Sequence, residues 1–119
     1  MIATARAQLV TLLATVAPTH PAWPAPLALP CVVLTEADPF VTEGATFGEV
    51  ALQFEALLMV RPGSPTAMVD QLDQLTAATL TAIAGEYEWS AGGYSTLTTP
   101  DGQSILTARV TITTTKETP

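Results

Sequence analysis

Positive charge is what this sequence has least of. Its 119 residues hold four Lys or Arg against eleven Asp or Glu, a formal net charge of −7, and Lys116 is the only lysine. Proteins that grip nucleic acid set several cations against phosphates and release counterions, and four scattered cations form no such patch. Cysteine is nearly absent as well: Cys31 stands alone, which excludes an intramolecular disulfide framework. With one His, His20, no conventional structural zinc site can be assembled. Long apolar runs are missing too. No formal charge separates Arg6 from Glu36, but Pro18, Pro21, Pro24, Pro26 and Pro30 break that passage far short of the ~20 apolar residues a spanning helix needs. As a secretion signal "LVTLLATVA" is poor, because Thr11 and Thr15 dilute it, Arg6 is its only basic start, and Pro18 would follow the cut.

Catalytic constellations are equally scarce. His20 sits in a proline-rich passage, no G-x-S-x-G elbow occurs, and Cys31 falls within a strand-like run where a thiol is an inert core residue. Glu86 and Glu88 would share one side of an extended chain, as glycosidase carboxylates do, yet their neighbours Tyr87 and Trp89 read as packing groups. Asp70 and Asp73 read as the solvated side of a helix. "AGG" and "PGSP" lack the phosphate-loop pattern and its Lys. "TEADPFVTEG" (Thr35 to Gly44) gathers Glu36, Asp38 and Glu43 but lacks the alternating ligands of a calcium loop. No catalytic, metal or cofactor residues are assigned, and an enzyme is not expected.

What remains is apolar. The hydrophobic fraction is 48% and the charged fraction 13%, rich for a small monomer and expected to leave surface for other copies or partners. Residues 1–119 are of single-domain size, and a chain of this length buries roughly two-thirds of its unfolded surface.

A helix is expected over 3–16, with Ile2, Ala5, Leu9, Leu12, Leu13 and Val16 on one stripe. Prolines then impose an extended connector over 18–30, pinned by Trp23, Leu27 and Leu29. "CVVLT" reads as a short strand buried on both faces, and the acidic stretch as a corner after it, with Phe40 as its anchor and Gly44 relaxing the chain. In "TFGEVALQFEALLMVR" Val50, Leu52, Phe54, Ala56, Leu58 and Val60 alternate onto one face. Leu57 and Met59 make its end two-sided, which calls for cover by another element or subunit.

Ser64 and Pro65 open a second helix, which Gly85 ends after Ala84. Met68, Val69, Leu72, Leu75, Leu80 and Ile83 point inward on it. "EYEWSAGG" reads as a loop or short edge strand. Thr99-Pro100-Asp101-Gly102 suits a type I turn in a closing hairpin. Leu106, Ala108, Val110 and Ile112 follow inward, with Thr107, Arg109, Thr111 and Thr113 outward. The expected fold is α+β in the order α-β-β-α-β-β, with two helices on a mainly antiparallel four-stranded sheet. Its body spans 31–114, with a frayed tail over 115–119.

The order of these pieces resembles the tail terminator proteins of long-tailed bacteriophages (siphovirus type), particularly those of actinobacteria. The resemblance covers most of the chain: an N-terminal helix, "PAWPAPLALP", a strand ending in "TEADPFVTEG", "TFGEVALQFEALLMVRPG", a helix holding "LDQL", and a hairpin leading to "LTARVTITT". It implies a homo-hexameric ring in the virion, at the tail–neck junction, after assembly in the host cytoplasm. The ring caps the tube of major tail protein, stops its polymerisation, joins it to a neck or head-completion protein, and lets DNA pass without specific binding. No membrane or cofactor is implied. Trp23, Leu57, Leu58, Met59 and Val60 are then the candidate subunit interface, and Glu36, Asp38, Glu43 and Glu49 the candidate acids of the lumen or docking face. A neck or head-closure connector fits the same order of pieces, and a cellular α+β ligand-binding module is the further alternative.

Overall fold

The alternation along residues 50–60 produces a long strand with one fully apolar side, and the rest of the fold is arranged around it. The computed structural model describes residues 2–24, 28–43, 49–99, 102 and 104–117, with side chains as far as 114. Its elements are α1 (Ile2–Leu13), β1 (Thr19–His20), β2 (Cys31–Glu43), β3 (Glu49–Met59), α2 (Pro65–Ile83), β4 (Glu88–Ala91), β5 (Ser95–Thr98) and β6 (Ser104–Glu117). The strands form one sheet in the order β1-β2-β3-β6-β4, with β5 also paired to β6. Among the described residues only the β1–β2 pairing is parallel.

The α+β class and the two helices are as expected, but the four-stranded sheet and the α-β-β-α-β-β order are not: the sheet has six strands. Three physical causes account for the difference. β1 is two residues long, held against β2 where the Val32 N–H donates to the Pro18 carbonyl at 2.8 Å, and two residues carry no periodicity. β6 is long enough to pair two separate short strands along one edge, with Glu88–Ala91 opposite residues 113–110 and Ser95–Thr98 opposite residues 107–104. The acidic stretch does not end β2. The strand runs on to Glu43, with a register shift between Glu36 and Val41 where β3 is reached again at Leu52.

Helix boundaries follow local chemistry. The Ser64 hydroxyl accepts from the Ala67 N–H at 3.2 Å, with Pro65 opening α2. At the other end the Ala84 N–H donates to the Leu80 carbonyl at 2.9 Å, and Gly85 leaves at φ +86, a conformation costly for any residue with a Cβ. Leu72 and Ile83 are buried and Met68, Leu75 and Leu80 half-buried, but Val69 is exposed, contrary to its expected inward place. Thr79 is buried instead, its hydroxyl donating to the Leu75 carbonyl at 2.8 Å so that no polar group is stranded.

Both helices cover one face of the sheet. Ala5, Leu9 and Leu13 of α1 and Leu72 and Ile83 of α2 meet Val32, Leu34, Leu52, Phe54, Ala56, Leu58, Ala108, Val110 and Ile112 in the main core. Phe40 packs edge-to-face on Phe54, ring centroids 5.2 Å apart, so it anchors the acidic stretch as expected.

On the opposite face a smaller core of Cys31, Val33, Leu57, Met59 and Ile105 lies under Trp23, Leu29 and Leu97. The connector is fastened there by the Arg61 guanidinium, which donates to the Leu29 carbonyl at 2.8 Å. Thr107, expected outward, is buried on this face and donates to the Ile105 carbonyl.

The closing hairpin is present: the Gly102 N–H donates to the Thr99 carbonyl at 2.9 Å and Gly102 sits at φ +90. Pro100 and Asp101 of that turn lie outside the described residues, as do Leu27, Gly44 and the expected strand start at residues 46–48. Of the tail expected to fray over 115–119, residues 115–117 are paired opposite Ala51, Val50 and Glu49, and 118–119 lie outside the described residues.

Candidate functional site

The candidate acids are divided between the faces of the sheet. Glu36 is opposite Phe54 and Glu43 opposite Val50, so both lie on the helix-covered side, four residues apart along β3; that separation is roughly 13 Å at strand rise. Glu49, next to Val50 in an alternating strand, belongs to the other side. Asp38 falls in the register shift and is exposed. The four therefore do not converge on one point.

Glu36 is also engaged: the Arg6 guanidinium donates to its carboxylate at 2.7 Å, and the same guanidinium lies 5.8 Å from the centroid of the Phe54 ring. A salt bridge with one partner more than half exposed contributes little, but it fixes where α1 meets the edge of the sheet. Asp38, Glu43 and Glu49 have no cation partner among the described residues.

The candidate interface is placed differently from its expected role. Leu57, Leu58, Met59 and Val60 are all buried within one chain, none more than 5% exposed. Leu58 and Val60 point into the main core, Leu57 and Met59 into the smaller one. The two-sided end of β3 does need cover, and the connector with β5 supplies it. Of the five candidates only Trp23 keeps exposed surface.

The remaining polar residues are distributed as structure-forming groups. His20 is half-buried in β1, opposite Val33. Cys31 is fully buried, and burial pushes its thiol above the ordinary value. Asp73 accepts from the Tyr94 hydroxyl, and partial burial together with that bond raises the phenol above its ordinary value. Arg109 meets Glu55 at 2.8 Å on the face away from the helices. Sequence reading missed both ion pairs and the Tyr94–Asp73 bond. Their only signal is cross-strand and helix-to-strand register, which appears once the sheet is assembled.

A surface groove of about 550 Å³ runs between α1 and the chain after α2, lined by Ala7, Gln8, Thr11, Leu12, Thr15, Glu86 and Tyr87. Among the described residues no group of three or more His, Cys, Asp or Glu could hold a metal ion, and no helix is long and apolar enough to cross a membrane. Compared with protein families and with curated proteins, the chain matches no family model and no curated sequence.

Proposed function

We propose that this chain is a virion structural protein of the tail-terminator kind, forming a six-membered ring that caps a tail tube, stops its growth and joins it to the neck while DNA passes through. One observation carries the reading. Every described arginine is already engaged inside the chain, Arg6 with Glu36, Arg109 with Glu55 and Arg61 with the Leu29 carbonyl. Around the end of β2 and the start of β3, Asp38, Glu43 and Glu49 meanwhile meet no cation among the described residues. A surface dominated by acids offers phosphates little counter-charge, which is what a conduit for sliding DNA requires. The order of sequence pieces that resembles terminator proteins supports the same reading. Leu57 to Val60 are spent on the chain's own cores, so ring contacts draw on other surface, Trp23 included.

The test is charge reversal. Asp38→Lys with Glu43→Lys should leave the fold intact by circular dichroism while lowering the infectivity of assembled particles. Normal particle yield and infectivity would contradict the acidic-conduit role. A second reading, a cellular ligand-binding module, draws on the groove beside Gln8, Glu86 and Tyr87; a saturable small-molecule ligand perturbing those residues would favour it.

A further inference from the structure

β4 ends the sheet on the side away from β2, and among the described residues no strand pairs its outer edge. All four of its residues are exposed. An unpaired edge presents backbone N–H and C=O groups ready to receive another strand.

The side chains along this flank are of two kinds. Trp89, in register with the buried Ile112, is 46% exposed, and Tyr94 and Val69 also keep apolar surface in water. The charges on β4, the chain before it and the nearby turn of α2 are negative, and the cation on the neighbouring strand, Arg109 opposite Gly92, is held by Glu55. Glu86 and Glu88 flank Tyr87 at the start of β4; Asp73 is bound by Tyr94, and Asp70 lies one helical turn before it. None of these four meets a cation among the described residues.

We propose that the β4 edge receives an extended, lysine- or arginine-bearing segment of a different protein as an added strand. Backbone pairing with Glu88–Ala91 supplies the register. Alternate residues of the incoming strand fall on the two sides of the sheet. One set reaches Trp89, whose ring face attracts a cation, and the other reaches Glu88 and Ser90. A second copy of this chain is the poorer occupant, because its net charge is −7 and two of its three described arginines are paired with its own carboxylates.

The experiment uses the full chain and two synthetic ten-residue peptides, one alternating lysine with valine and the other glutamate with valine. Binding is followed by backbone amide shifts and, in a Trp23→Phe background, by the emission of Trp89. The lysine peptide should bind saturably, perturb the amides of 88–92, weaken as salt is added, and bind at least tenfold more tightly than its glutamate twin. Trp89→Ala, and separately Glu86→Gln with Glu88→Gln, should each weaken it about tenfold. Three results would overturn the proposal: equal binding of both peptides, amide shifts that map away from β4, or no binding. It would also fall if Glu88→Gln made the chain self-associate while leaving peptide affinity unchanged, since Glu88 would then only guard the edge.

Discussion

The two faces of β3 are made from the same eleven residues yet are buried by different means. Its even-numbered side, Leu52 to Leu58, is covered along its length by two helices. Its odd-numbered side carries an apolar cluster only at one end, where Leu57 and Met59 lie under Trp23, Leu29 and Leu97, with Ala51 buried singly towards the other. Further along, the same side carries the half-buried polar Gln53 and Glu55, the latter paired with the exposed Arg109. Regular secondary structure covers a regular apolar stripe, whereas an apolar end can be covered by whatever chain lies near. Here that chain is a proline-rich connector. Proline's fixed φ and missing N–H suit it to crossing a sheet face without needing ladder partners.

Substitutions that distinguish the two faces test this contrast. Phe54→Ala should have the largest effect, about 3–5 kcal/mol of stability lost in denaturant unfolding, because it empties the centre of the helix-covered core and frees Phe40 and Arg6 together. A loss comparable to a surface change would mean the helices do not depend on that ring.

Trp23→Ala should cost less, about 2 kcal/mol for a half-buried aromatic, but its main readout is local. Cys31 lies in the core beneath it, so reaction of that thiol with a disulfide reagent should accelerate at least tenfold while helix content stays unchanged. Unchanged reactivity would show that something other than the connector covers this face. Burial raises the Cys31 thiol above its ordinary value. The stability linked to that shift is therefore complete below the ordinary thiol pKa and is lost as pH rises through the folded value. Cys31→Ala should flatten that alkaline fall in stability.

The smallest effect belongs to the exposed pairs. Arg6→Gln or Arg109→Gln should each change stability by less than about 1 kcal/mol, and less still in high salt.

Much of the helix-covered face was legible in the sequence because its signals are local. Ser64 and Pro65, Gly85, and the three- and four-residue steps of Ala5, Leu9 and Leu13 act within a few residues of themselves. The same is true of the alternation in β3. Illegible were features decided by register between distant segments. β6 pairs two short strands on one edge, β2 resumes its ladder after a shift, and the connector closes the smaller core. The candidate site divides in the same way. The acids and the apolar end of β3 were recognisable as residue types, but the Arg6–Glu36 bond and the burial of Leu57 to Val60 inside one chain exist only in the folded arrangement. Val69 was placed inward by its spacing and is exposed, because the stripe of α2 that the sheet accepts is centred on Leu72, Thr79 and Ile83.

Both apolar sides of β3 are satisfied by one chain, so self-association, where it occurs, has to use other surface. Light scattering on the purified protein, followed over a wide concentration range, tests the assembly reading most directly. The terminator reading predicts a species of six chains, whose population grows with concentration and appears as a six-fold ring by electron microscopy. A single chain at every concentration, with no ring formed, would contradict it.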